Sequence, residues 1–360
     1  ARRASGGLLM TRRPVFLKSR YRRCSRLAAL VFILFSWVHV QASEPADWLP
    51  GLLERETITI VVTDSGLGGL SVVADAAVKF GRHPVFREID LVFVNALFRD
   101  QGGYNSLQSR DEQLAVFSSA LSAMHERYRP DLILVACNTL SVLAPDTAFA
   151  RSGAVPVVGI VEEGVEQIAA QLEDDPNARN ILFATRTTVE DGSHKQGLLN
   201  LGFDDDRLIS QACPQLSAYI EQGFDAMDTE LLIDAYVDEA LSQLGESGGP
   251  LSVSFNCTHF GYSLAAWKLA FESRGIEVAA YLDPNTRMVD FLLPSEKLQR
   301  YPASNVRVKA VSMVPIPAGS VDSIGRYLDA VSTPTAEALR HYRLRPGLFE
   351  WRGLVDTGAN

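Results

Sequence analysis

Two short stretches of the chain each place a cysteine two positions after a strand-like run, which is apolar throughout in the first and alternates between apolar residues and serine in the second. Residues 132–135 (LILV) are followed by Ala136 and Cys137, and residues 251–255 (LSVSF) are followed by Asn256 and Cys257. Four consecutive apolar residues are typical of a strand buried on both faces, as in a parallel sheet covered by helices. Open α/β sheets bind their ligands beyond the carboxyl ends of the strands. The pattern therefore predicts two thiols at two strand ends.

Two facing thiols can perform a reaction that one thiol cannot. Inverting a carbon centre by proton transfer needs a base on one face of the carbon and an acid on the other, each within hydrogen-bond reach. A thiolate and a thiol supply this pair and exchange roles after each turnover. The alternative is that Cys137 and Cys257 are ordinary buried cysteines, since free cysteine is among the most buried residue types.

The histidine two residues after the second cysteine suggests other uses of that thiol. Cys257 and His259 could ligate zinc, but the four cysteines of the chain include no C-x-x-C, and no second histidine lies at ligand spacing. A cysteine hydrolase needs one nucleophile and one base, which leaves Cys137 unexplained. A thiol with a pKa near about 8.5 is mostly protonated at neutral pH, so proton transfer requires that a nearby base or hydrogen bond activates it.

A glycine-rich turn precedes both cysteines. A strand-like stretch at 58–62 is followed by DSGLGG at 64–69 and then by helical spacing. Such a turn offers backbone N–H groups and the positive end of a helix to a carboxylate. Its glycines have the wrong spacing for a dinucleotide-binding G-x-G-x-x-G, and G-x-x-x-x-G-K-[ST] is absent from the chain. Asp64 in this turn could also be a simple helix-capping residue.

The composition limits the class of protein. The 360-residue chain is 47% hydrophobic, which is typical of a globular protein with a substantial core. Nine of the 34 Lys and Arg residues but none of the 43 Asp and Glu residues lie in residues 1–43, so residues 44–360 carry 25 bases against 43 acids. This acidic body should repel nucleic acid, and no basic stripe offsets it.

The first 43 residues have the features of a targeting segment. A basic stretch ends at Arg26, an apolar run of 14 residues spans 27–40, and residues 40–42 are suited to cleavage before Ser43. The run is short for a membrane span. We therefore expect a signal peptide and an exported, periplasmic protein. A membrane anchor, or a cytoplasmic protein with an unused upstream extension, are the alternatives.

The motifs together resemble the cofactor-independent aspartate/glutamate racemase family, and within it the glutamate racemases most closely. The resemblance covers residues 58–293. The matching stretches, in the family's order, are TDSGLGGLSV at 63–72, VACNT at 135–139, PVVGIVEEG at 156–164, ATRTTV at 184–189, ACPQL at 212–216, IEQG at 220–223 and NCTHFGY at 256–262.

The resemblance implies an α/β fold of two similar lobes, each an open, mostly parallel sheet flanked by helices, with the active site in the cleft between them. We expect residues 57–160 and 263–332 in the first lobe and residues 161–262 in the second. Residues 333–360 are expected to form a C-terminal extension.

The resemblance also implies an activity, the interconversion of L and D isomers of glutamate or aspartate without pyridoxal phosphate, a metal or another cofactor. Cys137 would act on the D isomer and Cys257 on the L isomer. Asp64 would hold a proton beside the first thiol, and Glu221 would orient His259 beside the second.

The implied substrate contacts include one departure from the family. Where the family has a Pro-Tyr-Gly turn that receives the distal carboxylate through backbone N–H groups, this chain has Gly103-Tyr104-Asn105. The asparagine adds a side chain where a backbone must approach the ligand, so the choice between aspartate and glutamate stays open. The full set of implied contacts is Asp64, Ser65, Tyr104, Asn105, Asn138, Thr139, Thr188, Thr258 and His259.

The expected partner is an amino-acid substrate, a small molecule, with no nucleic acid and with membrane contact only through the N-terminal segment. The oligomeric state is left open, a homodimer included. Cys213 is assigned to packing. The alternative function is a periplasmic acidic amino-acid-binding protein that has kept the cleft of a racemase without turnover.

Overall fold

The computed structural model describes residues 47–99, 102–245 and 248–355, in which strands and helices alternate along the chain. The strands are β1 (Thr57–Asp64), β2 (Glu88–Asn95), β3 (Leu132–Val135), β4 (Val157–Gly159), β5 (Arg179–Ala184), β6 (Leu208–Ala212), β7 (Leu251–Asn256), β8 (Val278–Leu282), β9 (Asn305–Ser312) and β10 (Arg343–Leu344). The helices are α1 (Leu49–Leu53), α2 (Leu70–Arg82), α3 (Arg110–Tyr128), α4 (Asn138–Ser141), α5 (Ala148–Arg151), α6 (Val161–Glu173), α7 (Arg186–Asp191), α8 (Ser193–Asn200), α9 (Leu216–Gln222), α10 (Met227–Ser242), α11 (Leu264–Glu272), α12 (Ala318–Val331) and α13 (Thr333–Arg340).

The targeting segment predicted at residues 1–43 lies outside the described residues. Among the residues that the structure does describe, no helix is both long and apolar enough to cross a membrane.

The strands form two sheets, one in each lobe. The first sheet has the order β10-β9-β2-β1-β3-β4 and the second has the order β6-β5-β7-β8. All the strand pairs in both sheets are parallel. Parallel strands need crossover connections, and the crossing helices cover the faces of the sheet. All four residues of β3 are therefore buried, which explains why an unbroken apolar run marks this strand. The predicted fold class is confirmed.

The strand registers bring the chemical groups to the carboxyl edges of the two sheets. In the first sheet β1 and β3 end side by side, so that Asp64 and Cys137 lie at neighbouring strand ends. In the second sheet β5 and β7 end side by side, so that Thr185 and Cys257 follow neighbouring strand ends. Each lobe thus presents one thiol beside the end of an adjacent strand.

The second lobe extends further along the chain than predicted. The expectation that residues 263–332 return to the first lobe is wrong for their first part, because β8 pairs with β7 in the second sheet. Helix α11 lies between these two strands and packs against α10, so the three elements form one β-α-β unit. The chain returns to the first sheet at β9, which pairs with β2. A five-residue strand carries no sequence signal for the sheet that it joins.

The C-terminal residues are also corrected, since much of the expected extension at 333–360 is part of the first lobe. Helix α13 packs against α12 and α2, and β10 pairs with β9 at the edge of the first sheet. Leu348 and Phe349 are buried in the apolar core beside this sheet. Strand β10 was not predicted because two residues are too few for a periodic pattern.

Candidate active site

One cavity, with a volume of about 960 Å³, is lined by residues of both lobes. All the residues that the sequence analysis assigned to the site line it, which brings together groups separated by up to 195 positions in the chain. They are Asp64, Ser65, Tyr104, Asn105, Cys137, Asn138, Thr139, Thr188, Glu221, Cys257, Thr258 and His259.

The first thiol lies at the amino end of the short helix α4. Cys137 is only 6% exposed, and its Sγ is 3.2 Å from Ser65 Oγ. Burial raises the pKa of Cys137 to about 12, and the charge of Asp64 acts in the same direction, while the contact with Ser65 opposes the rise. Cys137 is therefore a protonated thiol at neutral pH, which is the form that donates a proton.

Asp64 lies beside this thiol at the end of β1. Its Oδ2 accepts a hydrogen bond of 2.8 Å from Thr258 Oγ1, and its Oδ1 accepts one of 3.2 Å from the backbone N of Gly66. Burial raises the pKa of Asp64, although the charge of His259 and the Thr258 hydrogen bond act against the rise. This carboxyl group can therefore take up a proton more readily than an exposed aspartate.

The second thiol has a different partner. Cys257 Sγ lies 3.7 Å from His259 Nδ1, and His259 Nε2 lies 2.7 Å from Glu221 Oε1. Burial lowers the pKa of His259, but the hydrogen bonds to Cys257 and Glu221 and the charge of Glu221 outweigh burial, so that the pKa lies well above its ordinary value. The imidazole is therefore positively charged at neutral pH, and a cation beside a sulfur atom stabilises a thiolate.

The glycine-rich turn of the first lobe contacts the loop that carries the second thiol. Tyr262 Oη donates to the backbone oxygen of Leu67 at 2.9 Å. A Cβ atom at Gly68 would lie 2.1 Å from Thr258 Oγ1 and 2.8 Å from His259 Nδ1, so this position has no room for a side chain. The glycine is needed here for close approach of two loops, and no nucleotide is required to explain it.

The chain is similar in sequence to known racemases. A sequence model of the family described as Asp/Glu/hydantoin racemase matches residues 96–267. A glutamate racemase of Sulfurihydrogenibium sp. is 26% identical over 202 residues, which cover 56% of this chain and 70% of that protein. A glutamate racemase of Persephonella marina is 28% identical over 207 residues, which cover 56% of this chain and 71% of that protein. Residues 96–267 therefore belong to the Asp/Glu racemase family.

A solved structure agrees with this membership at the level of the fold. The crystal structure of glutamate racemase from Campylobacter jejuni superimposes with a TM-score of 0.56 and 22% sequence identity, over 77% of this chain and 100% of that chain. The resemblance to the Asp/Glu racemase family and the predicted enzyme class, an isomerase of the racemase type, are confirmed.

Several polar groups of this racemase-family cavity have no partner within the described part of the protein. Both side-chain polar atoms of Asn138 and the hydroxyl of Tyr104 are buried and make no hydrogen bond. Buried polar groups are normally paired, so unpaired ones that line a cavity are suited to a ligand. Across the cavity, Thr188 Oγ1 lies 3.4 Å from Thr139 Oγ1 and 3.0 Å from Thr185 Oγ1, so three hydroxyl groups meet.

The turn that departs from the family motif lies at the rim of the cavity. Tyr104 and Asn105 belong to a 3-10 turn, Gly103–Ser106. The Asn105 side chain is exposed, and its Oδ1 accepts a hydrogen bond of 3.2 Å from Thr187 Oγ1 of the second lobe. The Asn105 side chain thus links the two lobes at the rim of the cavity.

Other lining residues were missed by the sequence analysis. They include Asn256 and the segment 314–317 with Gly319 and Ser320. The position of Asn256 directly before Cys257 is the one signal that could have pointed to it, whereas residues after β9 lie beyond the racemase motifs. Cys213 is buried, with its Sγ 3.8 Å from the backbone oxygen of Gln211, and does not line the cavity.

The described residues of the cavity show no arrangement suited to a metal. Within residues 47–99, 102–245 and 248–355, no group of three or more His, Cys, Asp and Glu side chains could hold an ion. The three cysteines of these residues are all free, so neither thiol of the site is tied up in a disulfide.

Proposed function

We propose that the protein interconverts the L and D isomers of an acidic amino acid, glutamate or aspartate, by proton transfer between two thiols and without a cofactor. The observation that carries the proposal is that Cys137 and Cys257 line one cavity, each with its own proton partners. The glutamate racemases to which the chain is similar support an acidic substrate.

The partners of the two thiols suit one direction of the reaction. Cys257, acting as a thiolate beside the imidazolium of His259, takes the α-proton of the L isomer, so that the Cα–H bond breaks and an S–H bond forms. Cys137, which burial holds in the thiol form, gives its proton to the opposite face of the carbanion. The thiolate is then on Cys137 and the thiol on Cys257, which is the pair needed for the reverse direction.

The charge of the cavity favours a ligand that carries an ammonium group. The described residues that line the cavity include two carboxylates, Asp64 and Glu221, and one imidazolium, His259, but no Lys or Arg. The charge of Asp64 is one cause that keeps Cys137 protonated, after burial. A substrate ammonium placed nearby offsets that charge and makes the Cys137 thiolate easier to form. Substrate binding thus prepares the first thiol to act as a base on the D isomer.

The cavity must also stabilise a carbanion without an electron sink. Fixed hydrogen-bond donors around the α-carboxylate perform this task best where water is excluded. The backbone N–H groups of the glycine-rich turn and the hydroxyls of Ser65, Thr139 and Thr188 are available for this purpose. Closing of the two lobes over the substrate would exclude water.

The test is exchange of the α-hydrogen in deuterated water, followed by NMR under reducing conditions. L- and D-glutamate, L- and D-aspartate and a panel of neutral amino acids are offered to the wild-type protein and to Cys137→Ala, Cys257→Ala and Cys213→Ala. We expect exchange with inversion for an acidic amino acid, lost in the first two variants and retained in Cys213→Ala. If no amino acid exchanges, the racemase proposal is overturned. Calorimetric binding without exchange would then identify an amino-acid-binding protein.

A further inference from the structure

Asn256, the residue directly before the second thiol, lines the cavity and has no role in the mechanism described so far. Its side chain is fully buried, at 0% exposure. Its Oδ1 makes no hydrogen bond with any described residue. Buried amide oxygens are normally hydrogen-bonded. Because Asn256 lines the cavity, its unpaired Oδ1 can accept a hydrogen bond from a bound ligand.

A buried chain of hydrogen bonds in the second sheet decides how the Asn256 amide is oriented. Asn256 Nδ2 donates to Ser254 Oγ at 3.0 Å, and Ser254 Oγ donates to Asn180 Oδ1 at 2.8 Å. Asn180 Nδ2 donates to Ser252 Oγ at 2.8 Å, and Ser252 Oγ donates to the backbone oxygen of Arg179 at 3.2 Å. A backbone oxygen can only accept, so the direction of the whole chain is set. Asn256 Oδ1 is thereby left as the free atom.

The orientation of the amide limits what Asn256 can bind. Its NH₂ group is engaged by Ser254, so the side chain has only an acceptor to offer. A carboxylate is itself an acceptor and gains nothing from such a group. Around the α-carbon of glutamate or aspartate, the ammonium is the one donor. Asn138, beside the first thiol, is different because both its polar atoms are unpaired and can serve either group.

We infer that Asn256 Oδ1 accepts a hydrogen bond from the α-ammonium of the substrate, and that Asn256 thereby selects ligands with a free α-amino group. This inference rests on the proposed function. It assigns a specificity-determining contact beside Cys257, and it makes Ser254 a positioning residue that acts through Asn256.

The nearest described groups leave this oxygen free of competing cations. A Cβ atom at Gly164 would lie 3.2 Å from Asn256 Oδ1 and 3.3 Å from His194 Nε2, so the asparagine and the histidine flank the same glycine. Burial lowers the pKa of His194 to about 4, and the charge of Asp191 only partly opposes this. His194 is therefore uncharged at pH 7. Its Nε2 also has no partner among the described residues and makes no hydrogen bond to Asn256 Oδ1, so this oxygen remains able to accept one from a ligand.

The test compares ligands with and without the ammonium. Calorimetry measures the affinities of glutamate against glutarate, and of aspartate against succinate, for the wild type, Asn256→Ala, Ser254→Ala and the matched control Asn200→Ala, which changes an exposed asparagine. We expect the wild type and Asn200→Ala to prefer the amino acid. In Asn256→Ala this preference should fall about tenfold or more, because hydrogen bonds to charged groups are the strong ones. The affinity for the deaminated analogue should stay the same.

Ser254→Ala keeps Asn256 Oδ1 but allows the Asn256 amide to rotate. This variant should therefore lose part of the preference for the amino acid over its deaminated analogue. This variant also tests the inference if Asn256→Ala folds poorly. The inference is overturned if the Asn256→Ala protein weakens glutamate and glutarate equally, if its preference is unchanged, or if the wild type shows no preference. Absence of any binding of glutamate and aspartate overturns it as well.

The same samples separate this inference from the proposed function, because α-hydrogen exchange is measured on each. A preference for the ammonium that depends on Asn256, without exchange, supports the contact and overturns the racemase. Exchange with a preference that does not depend on Asn256 supports the racemase and overturns the contact.

Discussion

His259 Nε2 lies 2.7 Å from Glu221 Oε1, and this pair joins the second thiol to the first lobe. The same carboxylate oxygen accepts a hydrogen bond of 2.8 Å from the backbone N of Leu67, in the glycine-rich turn. On its other side the imidazole contacts Cys257. One glutamate therefore holds the histidine beside the thiol and also holds the turn of one lobe against the loop of the other.

Replacing this glutamate should change how activity depends on pH. In Glu221→Gln, the pKa of His259 should fall, because burial, which lowers it, is then opposed mainly by the contact with Cys257. The imidazolium would lose its proton at lower pH, so the alkaline limb of activity should move to lower pH. We expect kcat to fall about tenfold or more. NMR titration of the imidazole and a pH–rate profile check this, with the exposed Glu230→Gln as control. If the pH–rate profile of Glu221→Gln is the same as that of the wild type, Glu221 does not set the pKa of His259.

A methyl group at Gly68 should separate the two loops. In Gly68→Ala, the new Cβ would clash with Thr258 and His259, and overpacking of this kind costs about 1–3 kcal/mol. We expect a lower free energy of unfolding and a large loss of exchange activity. Denaturant unfolding and the exchange assay measure the two effects. In the control Gly81→Ala the Cβ has no neighbour within 4 Å, and a helix interior favours alanine by up to about 1 kcal/mol. Equal behaviour of the two variants would show that the loops do not need close contact.

The asparagine at the rim should influence which acid is preferred. Asn105→Gly removes the side chain at the rim of the cavity together with its hydrogen bond to Thr187. We expect the ratio of kcat/KM for glutamate to that for aspartate to rise, because the longer substrate gains room. Thr187→Val removes the hydrogen bond and keeps the side chain, so it should leave the ratio nearly unchanged. A rise of the ratio in Thr187→Val as well would assign the effect to the contact between the lobes.

The first thiol should resist ionisation in the empty protein. Burial and then the charge of Asp64 raise the pKa of Cys137 to about 12. No thiolate absorbance should therefore be seen at neutral pH in a Cys24→Ser, Cys213→Ser, Cys257→Ser background, where Cys137 is the one remaining cysteine. Asp64→Asn should lower the pKa of Cys137, whereas Asp111→Asn, which changes an exposed aspartate, should not. The pKa of Cys137 in the folded protein lies above the unfolded value of about 8.5. The contribution of this thiol to the free energy of unfolding is therefore complete below that pH and is lost as pH rises towards about 12. A thiolate at pH 7 would contradict this description of the site.

The local part of the description followed from the sequence alone. A four-residue apolar run before Cys137 predicts a buried parallel strand, and the position of the thiol after it predicts a location at the ligand-binding edge of a sheet. The order of the motifs predicted the family, the two α/β lobes and a set of residues that all line one cavity. Each motif is a short local pattern, and the order of the motifs along residues 58–293 is also visible in the sequence.

The remaining features depend on contacts between distant segments, and only the tertiary structure decided them. The pairing of β8 with β7 and of β10 with β9 is set by packing, which a short strand does not encode by itself. The raised pKa of Cys137 follows from burial, a property of the assembled site. The free acceptor of Asn256 follows from a hydrogen-bond chain through two strands about 70 residues apart in sequence. Residue types near a thiol are visible in a sequence, but proton positions and amide orientations are set by neighbours that folding brings together.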